Sequence, residues 1–256
     1  MIRGAVGNLD VAQIVLYAFF LFFAGLIYYL RREDRREGYP LESEAMGRLK
    51  GVEPALIPSP KTFTLASGRV IKAPTYLGDS RPLNAEKVEP WPGAPLHPKG
   101  DPMKAEVGPG AYAMRADETD KTLHGDDLIA PFRVATNFSL VAGAPSPIGL
   151  AVVGADGIPG GVVKDLWVDR AESMLRYYEV ALRGDASRSV LLPVTFSKVD
   201  FRKKRVNVAA VLGGQLAGVP TTRDPDKVTL LEEEKITAYY GAGTLYATPE
   251  RAEPLI

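Results

Sequence analysis

The 256-residue chain contains no cysteine, so it forms no disulfide, offers no thiol nucleophile and gives no thiolate to zinc or an iron–sulfur cluster. Histidine is nearly as scarce: His97 and His124 are the two present, too few and too far apart for a histidine metal cage or a triad. Charge of one sign is not in surplus either. The 31 lysines and arginines balance 31 aspartates and glutamates, which argues against a general nucleic-acid binder, because such proteins rely on a basic excess. There is no Walker P-loop, no HExxH, no GxSxG and no EF-hand loop. Internal repeats and long low-complexity segments are also missing. The absence of cysteine leaves the redox compartment open. What is present is a 46% apolar composition, enough for a real core.

Polar side chains are missing from one stretch. Val11 to Leu30 reads VAQIVLYAFFLFFAGLIYYL, with Gln13 as its one strongly polar residue. Twenty helical residues span roughly 30 Å, the thickness of a hydrocarbon core. A surface helix of a soluble protein would carry a polar face. Tyr28 and Tyr29 suit a headgroup layer. The run is longer than a signal-peptide core, and RREDRRE at 31–37 follows it like a stop-transfer flank. Arg31, Arg32, Arg35 and Arg36 lie after the run and Arg3 before it. Positive-inside bias therefore predicts residues 1–10 on the periplasmic side, a transmembrane helix over 11–31, and the bulk of the chain in the cytoplasm.

Proline divides the remainder. Residues 38–131 hold 13 of the 21 prolines, so the segment 32–131 reads as an extended, proline-rich surface chain with little regular structure. Thr62–Leu65 and Val70–Ala73 are expected to pair around Gly68. Residues 132–256 read as a second region. Its runs Ile148–Val153, Val162–Val168, Leu175–Leu182, Val190–Phe196 and Arg205–Val208 are separated by turn signals at 155–157, 160–161, 169–173, 183–185 and 200–204, the pattern of a small antiparallel barrel or sandwich. The glycines at 154, 157, 160 and 161 are expected in hairpin turns. Alternation over 175–182 predicts a strand with two distinct faces. Thr229 and Glu232 form a capping-box pattern that opens a helix at Leu230, expected to stop at Gly241 or Gly243.

Two acidic groups stand out. Asp169 and Glu172 lie in the turn DRAES beside Arg170 and Arg176; His124, Asp126 and Asp127 lie in TLHGDDL. Taken alone, each reads most simply as solvated turn chemistry. The functional reading is proton exchange, since burial or like charge can bring a carboxylate near neutral pH, although Arg176 would oppose that at Glu172. His124 with Asp126 offers two metal ligands, short of a full site. The basic run Lys198, Arg202, Lys203, Lys204 and Arg205 flanks a turn and lacks interleaved aromatics, so it reads as a solvated hairpin tip rather than a nucleic-acid site.

Several strings, in order, resemble the H subunit of the purple-bacterial photosynthetic reaction centre: GLIYYLRREDRREGYPLE at 25–42, PKTF at 60–63, GDPM at 100–103, VGPGAY at 107–112, PIGL at 147–150, VVKDLWVDRAE at 162–172, LLPVTF at 191–196, VPT at 219–221 and VTLLEEEKI at 228–236. The resemblance implies one transmembrane α-helix plus a mainly-β cytoplasmic domain with a PRC-type antiparallel β-barrel and a C-terminal helix. It implies a chain that is not itself an enzyme and binds no pigment. Such a chain caps and stabilises the L and M subunits, which carry bacteriochlorophyll, bacteriopheophytin, quinones and non-haem iron, and assists proton delivery to the secondary quinone. A cytochrome subunit, light-harvesting antenna and membrane lipid are implied neighbours, in the intracytoplasmic photosynthetic membrane, with no nucleic acid. By the family's WVD–x–x–E pattern, Asp169 and Glu172 look like acidic proton-path residues, with Arg176 as their basic neighbour. The family's HGH motif reads His124-Gly125-Asp126 here; His124 matches, Asp126 replaces the second histidine, and Thr122 replaces an upstream acid, which weakens the metal site. Glu233, in the LLEE string, matches a charge near the quinone. A membrane-tethered PRC-barrel adaptor or assembly factor without proton traffic is the alternative, since fold does not settle function.

Overall fold

A computed structural model describes residues 10–39, 41–43, 48–50, 54–65, 68–75 and 79–252, in two units, Met1–Arg81 and Pro82–Ile256. Nine of the ten residues expected on the periplasmic side, Arg3 among them, lie outside the described residues.

In the first unit, the apolar run forms helix α1 (Val11–Glu33), two residues beyond the expected end. Gln13, the odd polar residue of the run, is used at the first turn, where its Oε1 accepts the Asp10 backbone N–H at 3.4 Å. Arg31 and Arg32 fall in the last turn, favourable for the helix dipole. No residue of α1 is buried by the protein, and residues 11–30 are all exposed. Such a helix would be unstable in water but meets the demands of lipid, which satisfies apolar side chains while the helix satisfies its own backbone. Below it, Glu33 accepts from Arg36 Nε at 2.8 Å and from Lys61 Nζ at 2.9 Å, while Tyr28 donates to the Ala55 carbonyl at 2.8 Å. These bonds tie the helix end to the following chain. Strands β1 (Leu41–Ser43) and β2 (Arg48–Lys50) pair antiparallel, as do β3 (Lys61–Thr64) and β4 (Val70–Ala73). The β3–β4 hairpin turns at Gly68, whose φ is +81°, as expected from the sequence.

The second unit opens with a hairpin of β5 (Ala85–Lys87) and β6 (Leu96–Pro98). A largely irregular stretch leads to β7 (Ile129–Pro131). The main sheet then adds β8 (Ala151–Val153), β9 (Pro159–Asp169), β10 (Met174–Leu182), β11 (Asp185–Pro193), β12 (Ser197–Asp200) and β13 (Arg205–Val208), in the order β11-β10-β9-β8-β13-β12. The eleven residues of β9 are long enough to pair with β10 along one edge and with β8 and then β7 along the other. The proline-rich stretch thus ends inside the sheet. Helix α2 (Leu230–Tyr246) follows, capped by Thr229, whose hydroxyl accepts from Glu232 N at 3.1 Å while Thr229 N donates to Glu232 Oε2 at 2.9 Å. Leu166, Trp167, Leu192, Leu216, Ile236 and Tyr240 are fully buried in the core of this unit; each large apolar side chain so buried contributes about 1.5–3 kcal/mol.

Four details differ from the sequence reading. The β8–β13 pair is parallel within an otherwise antiparallel sheet. Tyr177, Tyr178, Glu179 and Val180 are all buried, so β10 has no wet face there. Gly160 and Gly161 lie within β9 rather than in a turn, because the backbone packs too closely for a side chain: a Cβ on Gly161 would come within 2.5 Å of the Ala181 carbonyl oxygen. Helix α2 passes through both Gly241 and Gly243 for the same reason, a Cβ on Gly243 meeting the Ala210 carbonyl oxygen at 2.5 Å. Alanine at 243 should therefore lower stability by about 1–3 kcal/mol through overpacking, even though alanine favours helix over glycine by about 1 kcal/mol. A denaturation midpoint equal to or above that of the parent chain would show that the contact relaxes freely.

Candidate functional site

The residues singled out by the sequence gather where the chain before β7 meets the β9–β10 turn. The segment Asp120–Leu128 folds back on itself. Leu128 N donates to the Asp120 carbonyl at 2.8 Å, Thr122 N to the Asp126 carbonyl at 2.8 Å, and Lys121 bridges Asp127. Gly125, with φ +90°, permits the reversal. The tip therefore holds Leu123, His124 and Asp126 in solvent. Asp127 anchors the base, accepting from Thr119 Oγ1 at 2.6 Å and Lys121 Nζ at 2.5 Å. Burial pushes its carboxyl up, but these donors outweigh burial and hold it below the ordinary range.

The β9–β10 turn lies beside this tip: Arg170 N donates to the Leu128 carbonyl at 2.9 Å. Asp169 is buried, and its Oδ1 accepts the backbone N–H of Ala171 at 2.9 Å and of Glu172 at 3.0 Å. That bond pair explains aspartate at this position: it builds the turn. Ser173 completes the reversal at φ +55°. Glu172 is exposed at the turn. A cleft of about 440 Å³ opens between the two segments, lined by Thr122, His124, Asp126, Asn137, Arg170 and Ala171 among others.

A second cluster lies at the start of α2. Arg176 sits where the β9–β10 register shifts, the kind of irregularity that re-aims a side chain. The next residue, Tyr177, is buried and donates its hydroxyl to Glu233 Oε2 at 2.6 Å. Burial raises the Glu233 carboxyl above the ordinary glutamate value; the Tyr177 hydrogen bond and the charges of Arg176 and Arg115 oppose the rise, while the Asp120 carboxylate adds to it. Asp120 is also the base of the His124 hairpin, so the two clusters share an electrostatic link.

His124 and Asp126 thus share one cleft with the turn that carries Asp169 and Glu172, and Arg176 acts on Glu233. Arg176 forms no ion pair with Glu172 among the described residues, and its charge acts on Glu233 and Tyr177. Among the described residues no group of three or more His, Cys, Asp or Glu side chains could hold a metal ion. Sequence reasoning missed Tyr177 as the hydrogen-bond partner of Glu233 and the charges of Arg115 and Asp120 that act on it. It also missed Glu179, a buried carboxylate held by Arg133, by Lys164 Nζ at 3.0 Å and by Trp167 Nε1 at 3.2 Å. The Tyr177 hydroxyl, within an apolar strand, was a readable donor, but the identity of its partner was not.

Comparison with known families places these elements. Residues 4–134 match the family described as the photosynthetic reaction centre H-chain N-terminal region, just over half of the chain. The chain belongs to the photosynthetic reaction centre H-chain family. Residues 141–214 match the PRC-barrel domain, which takes in β8 to β13 and with them Asp169, Glu172 and Arg176. His124 and Asp126 fall in the H-chain region, whereas Glu233 lies beyond both matches. An H chain is an accessory subunit that assembles with the reaction-centre core, and α1 is the apolar helix that suits a single-pass membrane anchor.

Proposed function

We propose that this H chain caps the cytoplasmic side of the L and M subunits, stabilises them, and delivers protons toward the secondary quinone that they reduce with light-derived electrons. Those partners would carry the bacteriochlorophyll, bacteriopheophytin, quinones and non-haem iron. The anchor would run through the intracytoplasmic membrane with its N-terminus periplasmic, consistent with the arginines that follow α1. A cytochrome subunit and antenna belong to the same proposed assembly.

The observation that carries the proton role is the shared cleft. His124 and Asp126, two groups able to exchange protons, stand exposed beside the turn of Asp169 and Glu172. Protons would enter at His124 and Asp126, pass by way of water along the Asp169–Glu172 turn, and respond to the field of Glu233 and Arg176. Reduced quinone raises the proton affinity of nearby carboxylates, which draws protons inward. The chain supplies positions and charge rather than a covalent step. His124 and Asp126 can also offer two ligands to a divalent cation, but Arg170 in the same cleft adds positive charge that opposes metal binding.

Glu172→Gln removes the exchangeable proton without changing size. It should slow proton-coupled transfer of the second electron to the quinone by about tenfold, the effect of roughly 1.4 kcal/mol on a barrier, and leave initial charge separation unchanged. Flash spectroscopy on the intact complex reads both. Unaltered second-electron kinetics from pH 6 to pH 9 would leave a stabilising lid without proton traffic through Glu172.

A further inference from the structure

The basic run at the β12–β13 turn takes no part in the proposed proton path, and it borders the largest cleft described in the molecule. This cleft, about 780 Å³, lies between the ends of β8, β12 and β13 and the C-terminal end of α2. Lys198, Arg205 and Arg251 line it, with Thr195 as a hydroxyl donor and Val153 and Phe196 on its apolar wall. No carboxylate lines it among the described residues. In a chain whose formal charges cancel, that is a local cationic surplus.

The surplus is built in rather than accidental. Asp200 faces Arg205 across the β12–β13 register, yet it accepts the Lys203 backbone N–H at 3.0 Å and forms no ion pair with Arg205. Arg205 Nε is buried without a hydrogen-bond partner, and a buried charged donor left unsatisfied is costly. Among the described residues Arg251 is held by carbonyls and meets no carboxylate, donating to Ala210 at 2.8 Å, Gly243 at 2.7 Å and Ala209 at 3.0 Å. Arg202, Lys203 and Lys204 in the adjoining turn add to the field.

We propose that this cleft binds a phosphate-bearing ligand, with Arg205 and Lys198 as its principal contacts and Arg251 as a fixed background charge. A carboxylate brings one charge and two oxygens, whereas a phosphate group brings more acceptors and, as a monoester, up to two charges, a better match to three separate cations. The guanidinium of Arg205 is suited to paired phosphate oxygens. The volume exceeds what a bare phosphate fills, and the wall of Val153 and Phe196 offers room for a neutral or apolar remainder. A soluble phosphate monoester has this chemistry in full, and a phospholipid headgroup, a diester, shares the phosphate oxygens with a single charge.

The test uses the full chain in a neutral maltoside detergent and two probes, glycerol 3-phosphate and dihexanoyl phosphatidylglycerol, with dihexanoyl phosphatidylcholine as the zwitterionic control. Calorimetric titration should show saturable binding that weakens as salt rises. Lys198→Gln should weaken it several-fold and Arg205→Gln by about tenfold or more, the loss expected for a charge-assisted hydrogen bond. Arg188→Gln, remote from the cleft lining, should leave it unchanged. Binding of glycerol 3-phosphate alone assigns a soluble ester, binding of phosphatidylglycerol alone assigns a lipid headgroup, and binding of both assigns the shared group. Lys198 is exposed on an outer strand, so its variant keeps the test open even where Arg205→Gln disturbs folding. No saturable binding of either probe, equal binding of phosphatidylcholine, or undiminished binding in Lys198→Gln overturns the proposal.

Discussion

Arg133→Met should lower the stability of the second unit by about 2–4 kcal/mol at pH 7, the largest loss expected from any single substitution considered for this chain. The guanidinium holds four partners from three parts of the sequence. It donates to Glu179 and the Pro225 carbonyl, to Asp165 at 2.9 Å and to Asp226 at 2.7 Å, and it lies 5.9 Å from the Trp167 ring centroid. Glu179 is 4% exposed. Without Arg133, that carboxylate keeps Lys164 and Trp167 but loses its strongest partner, and Asp165 nearby goes uncompensated. Removing one member of a buried pair costs about 3–5 kcal/mol; the retained Lys164 and the partial exposure of Arg133 reduce the figure here.

The pH dependence separates this cause from simple loss of packing. Burial pushes the Glu179 carboxyl up, but bonds from Arg133, Lys164 and Trp167 outweigh it and hold the group below its usual 4.5. A carboxylate with a depressed value contributes stability that is full above its unfolded value and lost as pH falls through the folded one. The gap between parent and variant should therefore be widest near neutrality and narrow below about pH 4. Urea unfolding of the full chain in detergent, measured from pH 3 to pH 8, reads this directly. A gap that stays constant over that range would assign the loss to packing and remove the charge from the account.

Much of this architecture was legible because the deciding signals are local. The apolar run fixes α1, since its twenty consecutive residues hold a single strongly polar side chain. Gly68 between two β-branched runs gives the β3–β4 hairpin, and Thr229 with Glu232 opens α2. What escaped is non-local. A glycine that turns the chain and a glycine that lets two backbones touch look alike in sequence, so Gly160, Gly161, Gly241 and Gly243 were read as punctuation although each lies inside an element. The parallel β8–β13 pair joins segments about fifty residues apart, with no short turn to announce it. The candidate site divides in the same way. The turn of Asp169 and Glu172 and the tip at His124 and Asp126 could be read from their own residues, and the H-chain family match covers the tip. Their meeting in one cleft is tertiary. So are the Arg133–Glu179 cluster and the Tyr177–Glu233 bond, whose partners lie 46 and 56 residues apart. Arg176 illustrates the limit: the family pattern made it the basic neighbour of Asp169 and Glu172, but nothing local in the sequence announced its charge acting on Glu233.

Tyr177→Phe should raise the proton affinity of Glu233 further above the ordinary glutamate value. The substitution keeps the ring and deletes the hydroxyl that donates to Glu233 Oε2 at 2.6 Å. Burial already raises this carboxyl, and the hydroxyl is one of the few groups restraining the rise. A carboxyl raised on folding contributes stability that is full below its unfolded value and lost as pH rises through the folded one. Deleting the donor should deepen that loss, so the variant is less stable than the parent by about 1–2 kcal/mol at pH 8, with a smaller gap below the usual glutamate value. Tyr178→Phe supplies the control, because Tyr178 is also buried but its hydroxyl makes no hydrogen bond to a described residue; its gap from the parent should not change with pH. In the intact complex, the pH profile of second-electron transfer should shift upward with Tyr177→Phe and stay in place with Tyr178→Phe. An upward shift in the stability profile alone would leave Glu233 a structural carboxylate whose proton has no part in quinone reduction; a stability gap independent of pH would mean that the hydroxyl does not hold the charge of Glu233 at all.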